Sequence, residues 1–290
     1  MRRDELAGLT RTRLTDPAAI RKAADARPRA SSPVGPSGKC FIIAADHPAR
    51  GALATGGDPM AMADRADLLD RLRTALANPG CNGVLGTADI LEDLLLLGAL
   101  DGKVVFGSMN RGGLAGAAFE IDDRFTGMNA DAIARMGFDG GKTLTRIDFH
   151  DDRTAPTLEA TAHAIDALAE RGLIAMIEPF ISRREGGKVV NDLTTEGVVK
   201  SVAIASGLGS SSAYTWLKVP TAPDMERVAA ASTLPMVILG GEVDDLEAQR
   251  ARWGASLALP NVVGLTVGRS LLYPADGDVA GAVDAVVSLL

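Results

Sequence analysis

Aromatic residues make up only 4% of this 290-residue chain, and no stretch interleaves them with basic residues. Formal net charge is −7 and no basic patch stands out, which argues against a nucleic-acid partner. Histidine is scarcer still. His47, His150 and His163 show no ligand spacing and His163 falls on a helical segment, so no metal centre is expected. The two cysteines, Cys40 and Cys81, each open an apolar run and form no CxxC pair. They read as buried thiols in a reducing cytosol. The longest apolar run, "LLLLGAL", is far below the roughly 20 residues of a membrane span. The first residues, "MRRDELAGLTRTRL", carry charge without the apolar core of a signal peptide. A soluble cytoplasmic protein is therefore expected, with no membrane partner.

The chain is 47% hydrophobic, enough for a sizeable core. Its length suits two average domains or one α/β barrel. Residues 1–38 read as an N-terminal helical extension. "DELAGLTRTRL" and "DPAAIRKAADARP" give two short helices, the second with Asp16 as N-cap and Pro17 in the first turn. "RASSPVGPSGK" then breaks the pattern. This extension is expected to pack under the following domain or against a neighbouring subunit.

From residue 39 to 290 apolar runs alternate with helical stretches. The runs are "CFIIAAD", "CNGVLGT", "KVVFGSM", "KTLTRID", "LIAMIEP", "TWLKVP", "PMVILGG" and "VVGLTVG". Between them lie segments such as "DPMAMADRADLLDRLRTALA" and "APTLEATAHAIDALAERG" with helical periodicity. Continuous apolar strands separated by helices indicate a parallel sheet covered on its faces. Eight such strands close a (β/α)8 TIM barrel, so the fold class is α/β, a single barrel behind a helical extension. An open doubly wound sheet is the rival, but the first run lacks the GxGxxG loop such sheets often carry. A glycine-rich connection, "NRGGLAGAAFEIDDRFTG", follows the third run and is long enough to cover a ligand.

Barrel active sites lie at the C-terminal ends of the strands. Polar residues at those ends are Asp46 and His47 on the first run, and Lys142, Arg146 and Asp148 on the fourth. Glu178 stands on the fifth, Lys218 on the sixth, Gly240, Gly241 and Glu242 on the seventh, and Gly268 and Arg269 on the eighth. Period-2 geometry puts Lys142, Leu144, Arg146 and Asp148 on one face. Lys218 sits between Leu217 and Val219, where an ammonium group is costly unless paired or neutralised. An apolar strand and a second cation, Lys142, both favour its neutral amine, which attacks carbonyls to form a Schiff base. A purely structural lysine paired with Glu178 is the plain alternative. Gly240, Gly241, Gly268 and Arg269 fall where barrels bind phosphate.

"AADHPARG", "GGKTL", "MIEPF", "WLKVP", "VILGGE" and "LTVGRSLL" together resemble the class I aldolases of the (β/α)8 superfamily. The resemblance spans residues 39–275 and is nearest to tagatose-1,6-bisphosphate, sulfofructosephosphate and archaeal-type fructose-bisphosphate aldolases. It implies a carbon–carbon lyase that cleaves a phosphorylated ketose to dihydroxyacetone phosphate and an aldehyde, without a cofactor. It implies Lys218 as Schiff-base lysine, Glu178 as proton carrier, Lys142 as the cation that depresses the nucleophile's pKa, and Asp46 beside the carbinolamine. Gly241, Gly268 and Arg269 match the phosphate site. Arg146, Asp148 and the His47-Pro48 pair depart from the family's pattern. The sequence also resembles actinobacterial aldolase-like proteins linked to inositol catabolism, which implies 6-phospho-5-dehydro-2-deoxygluconate as substrate and Arg146 as a carboxylate holder. A homo-oligomer is expected. The other readings are a barrel sugar-phosphate isomerase or epimerase, and a non-catalytic sugar-phosphate-binding protein.

Overall fold

A computed structural model of the chain describes residues 3–240 and 246–290. Two helices, α1 (Arg3–Thr15) and α2 (Ala18–Ala26), precede nine strands. Eight of the strands are parallel: β1 (Cys40–Ala44), β2 (Gly83–Gly86), β3 (Val104–Ser108), β4 (Gly140–Ile147), β5 (Ile174–Glu185), β7 (Thr215–Val219), β8 (Met236–Leu239) and β9 (Val262–Val267). Their order, β4-β3-β2-β1-β9-β8-β7-β5, is closed by pairing of β4 with β5. The eight apolar runs are the eight barrel strands, as the sequence predicts.

Helices follow every barrel strand. They are α3 (Arg65–Ala77), α4 (Ala88–Leu96), α5 (Ala130–Arg135), α6 (Thr154–Ala169), α7 (Thr195–Ser206), α8 (Met225–Ala229), α9 (Leu246–Leu257), α10 (Arg269–Leu272) and α11 (Val279–Val287). Several start where a side chain accepts an otherwise orphaned backbone N–H. Asp64 caps α3, Asn129 α5, Thr194 α7, Asp224 α8 and Asp278 α11. Asp16 does not cap α2: the cap position is Pro17, without a side-chain bond. The Asp16 backbone N–H continues α1 by donating to Thr12, and its carboxylate pairs with Lys22.

Alternation along the strands separates two cores. Cys40, Ile42, Leu85, Phe106, Met176, Trp216 and Val237 fill the barrel interior, with the Phe106 and Trp216 rings 6.3 Å apart. Phe41, Ile43, Val84, Val105, Ile177, Leu217 and Leu265 face outward to the helices. Ala30 and Val34, in the segment after α2, pack onto the interior core beside Ile174 and Val263 at strand starts. That segment therefore closes the barrel's N-terminal end. Arg27 anchors it: the buried guanidinium donates to the carbonyls of Leu100, Lys103 and Gly137.

β5 is longer than the apolar run that marks it. Its last residues pair antiparallel with β6 (Lys188–Asn191), making a hairpin beyond the barrel mouth. Polar residues "SRRE" hide this extension from hydrophobic patterning.

Candidate active site

The inward faces of β1, β3, β4, β5 and β7 end in polar groups at the C-terminal mouth. Below Asp46 on β1 lie Ile42 and Ala44. Below Ser108 on β3 lies Phe106, below Glu178 on β5 Met176, and below Lys218 on β7 Trp216. On β4 the outward Thr145 bonds to Thr161 of α6, so Lys142, Leu144 and Arg146 turn inward. β4 and β5 pair over eight residues, with Leu144 opposite Glu178, which brings Lys142 and Glu178 side by side.

These ends form one network. Lys218 Nζ donates to Glu178 Oε1 at 2.7 Å. Lys142 Nζ pairs with Glu178 Oε2 and, at 3.2 Å, with Asp46 Oδ2. Asp46 Oδ2 also accepts from Ser108 Oγ at 3.1 Å and pairs with Arg111. Arg111 Nε in turn donates to Ser108 Oγ at 2.9 Å. All six side chains are buried.

Burial without full compensation moves their proton affinities. The Lys218 amine is held below its ordinary value by burial; Glu178 opposes this, and Arg111 and Arg269 add to it. Lys142 is pushed further down, again by burial first and then by Arg111. Glu178 stays well below the carboxylate range, because the two lysines outweigh its own desolvation. Arg111 falls to about 10 through burial.

Around this centre lies a wider ring of charge. Arg146 Nη1 is 2.9 Å from Glu120 Oε1 without a directed hydrogen bond, and its Nε is buried and unpartnered. Arg50 pairs with Asp123 and donates to the Gly113 carbonyl. Gly268 lies close under β1: a Cβ there would sit 2.4 Å from the Ala44 carbonyl oxygen. Gly240 packs as closely on Val267, 2.6 Å from a would-be Cβ. Arg269 donates to the Ala54 carbonyl at 3.1 Å. Its charge acts on both His47 and Lys218.

The structure thus brings Asp46, Lys142, Glu178 and Lys218 into contact, with Arg146, Gly268 and Arg269 at the same mouth. Gly241 and Glu242 lie outside the described residues. Asp148 does not join the inward row; it accepts from the His150 N–H in the turn after β4, and its own N–H is taken by Thr154. Sequence reasoning missed Ser108, Arg111, Arg50, Glu120 and Asp123. Ser108 was legible as the third inward position of its run. The others reach the site through loops, where no periodicity tells direction. Among the described residues no cluster of three or more His, Cys, Asp or Glu could hold a metal ion, and no helix is long and apolar enough to cross a membrane.

Fold and site define a (β/α)8 barrel with a buried two-lysine, one-glutamate centre at its C-terminal mouth. Residues 38–287 match the Cgl0159-like family, and the chain belongs to that family. It is 52% identical to Cgl0159 from Corynebacterium glutamicum, whose crystal structure superposes with a TM-score of 0.97 over 100% of this chain and 97% of that one. An archaeal fructose 1,6-bisphosphate aldolase shares the fold at 19% identity and TM-score 0.66, covering 88% and 95% of the two chains. Another archaeal aldolase structure, with its catalytic lysine covalently bound to a carbinolamine intermediate, has 19% identity and TM-score 0.64, over 88% and 95%. No curated protein matches the chain.

Proposed function

We propose that this chain is a class I aldolase, a carbon–carbon lyase in which Lys218 forms a Schiff base with a phosphorylated ketose. The observation that carries this reading is the Lys218 amine itself. It is buried at the mouth of a closed barrel, depressed in proton affinity, and in contact with an ionised carboxylate. Such an amine is poorly placed for stability and well placed for imine chemistry. Lys142 is depressed further, but its Nζ engages both Glu178 and Asp46. Among the described residues Lys218 Nζ pairs with one carboxylate, Glu178. The archaeal aldolase with a carbinolamine on its catalytic lysine has the same fold, which supports the assignment.

Lys218 attacks the ketone, and Glu178 and Asp46 assist loss of water to give the iminium. The iminium withdraws electrons from the C3–C4 bond, the aldehyde leaves, and the remaining enamine is protonated and hydrolysed to dihydroxyacetone phosphate. The phosphate is held near Gly240, Gly268 and Arg269, which positions the carbonyl against the amine. β4 lies opposite β9 in the closed barrel, so Arg146 stands across the mouth from that grip. A substrate bearing an acid group at its far end, such as 6-phospho-5-dehydro-2-deoxygluconate, suits this span, and its products are dihydroxyacetone phosphate and malonate semialdehyde.

Borohydride added with candidate ketose phosphates should trap the imine and add the donor half's mass to the peptide holding Lys218. Label on Lys142 instead, or no label with any phosphoketone, would defeat the assignment.

A further inference from the structure

Cleaving the C3–C4 bond needs a base at the hydroxyl of the departing fragment; Glu178 and Asp46 already serve the two lysines and the loss of water, while the buried Glu120 and Asp123 are paired with Arg146 and Arg50. Glu178 gives one oxygen to Lys218 and the other to Lys142. Asp46 Oδ2 receives Lys142, Ser108 and Arg111.

His47 follows Asp46 and heads the short 3-10 turn Pro48–Arg50. One-quarter of its side chain is exposed. Its Nδ1 is buried, makes no hydrogen bond, and lies 3.9 Å from Asp46 Oδ1. Nε2 is not among the buried unpartnered atoms, and no hydrogen bond to it forms among the described residues. It is therefore the open edge of the ring. Gly268 makes room for that ring, since a Cβ there would be 3.0 Å from His47 Cε1. The imidazole thus packs against Gly268 on one side and faces the Asp46 carboxylate, itself paired with Lys142, on the other.

We propose that His47 is the base of the carbon–carbon cleavage, its Nε2 taking the proton of the substrate hydroxyl on the carbon that leaves as aldehyde. This rests on the Schiff-base reading above. The O–H bonding pair becomes the new C=O bond. The C3–C4 pair flows into the iminium and gives the neutral enamine. The imidazolium then passes its proton to water.

The groups facing the ring fit this role. The Asp46 carboxylate on the Nδ1 side favours a proton there, which leaves the Nε2 lone pair outward. Burial comes first, then Arg269 after β9, Lys218 on β7 and Lys142 on β4, opposed by Glu178 on β5; together they hold the ring well below the usual histidine range. It is unprotonated and ready to accept. A phosphate bound at Arg269 cancels part of that cationic field, so the ring gains basicity as substrate arrives.

Two measurements test this. In His47→Gln, cleavage should fall by about 10²- to 10⁴-fold, the usual size of general acid–base catalysis. Borohydride trapping with dihydroxyacetone phosphate alone, which forms the imine without breaking a carbon–carbon bond, should persist. Cleavage at the unaltered rate, or trapping lost in parallel with cleavage, overturns the proposal. In ¹⁵N-histidine-labelled protein, the His47 resonance, assigned by its loss in His47→Gln, should titrate at higher pH once inorganic phosphate is added. A midpoint indifferent to phosphate also overturns it. No trapped imine in the unaltered protein defeats the Schiff-base reading itself, a result separable from both, and takes this proposal with it.

Discussion

Lys142 and Lys218 reach one carboxylate from two strands, yet their surroundings differ. Lys142 has Arg111 as its leading charged neighbour after burial, while for Lys218 Glu178 comes first and Arg111 and Arg269 follow. Arg111 is thus a cation common to both. Removing it in Arg111→Gln relieves repulsion on the ammonium forms, so both lysines should hold their protons more tightly. The rate of borohydride trapping, followed against pH, should then reach its midpoint at higher pH than in the unaltered protein. A midpoint that stays or falls would show that Arg111 does not tune the amines. Lys218→Met should abolish trapping, while circular dichroism shows the fold retained. An apolar side chain of similar length relieves a buried charge, and Lys142 still partners Glu178.

At the scale of elements, the segment from α2 into β1 depends on Arg27. Its guanidinium satisfies three backbone carbonyls in a buried setting. Arg27→Met leaves those acceptors unpaired, a loss on the order of 2–4 kcal/mol. Thermal unfolding should show Tm lower by roughly 5–10 °C, with borohydride trapping unchanged in the folded protein. What the sequence revealed, and what it hid, divides along the same line between strands and loops. "KTLTRID" and "TWLKVP" announced their strands, and period-2 geometry put Lys142, Leu144 and Arg146 on one face; that this face turns inward came from the packing of Thr145 on Thr161 of α6. "NRGGLAGAAFEIDDRFTG" was legible as a long connection over the mouth. Nothing in it told that Arg111 would turn down onto Asp46 while Glu120 met Arg146, since those directions come from tertiary contacts between loops. The continuation of β5 into a hairpin was hidden for a related reason: its residues "SRRE" are polar and pair with β6 beyond the barrel, not with a barrel strand.

For the molecule as a whole, the buried charges make folding depend on pH with a definite sign. Glu178 has a folded-state pKa depressed below its ordinary 4.5. Its contribution is present above that value and is lost as pH falls towards the folded-state pKa. Lys142 is depressed from 10.5, so the unfolded chain binds more protons between the two values and stability rises with pH across that window. Tm measured from pH 3 to pH 6 should therefore climb less steeply in Glu178→Gln than in the unaltered protein; equal slopes would count against a strongly acidic Glu178. The proposed catalysis by an amine asks nothing of a divalent ion. Cleavage should survive EDTA, and loss of activity restored by zinc would favour a metal-dependent route. Finally, the segment carrying Ala30 and Val34 seals the lower end of the cylinder. With the interior filled by side chains, Lys218 is reached from the C-terminal mouth alone, and on the proposed route every reactant and product shares that mouth. On the proposed Schiff-base route the donor half stays covalently bound until water reaches the enamine, so the aldehyde would leave first through that mouth and dihydroxyacetone phosphate last. It should therefore inhibit cleavage competitively with the ketose, while the aldehyde does not.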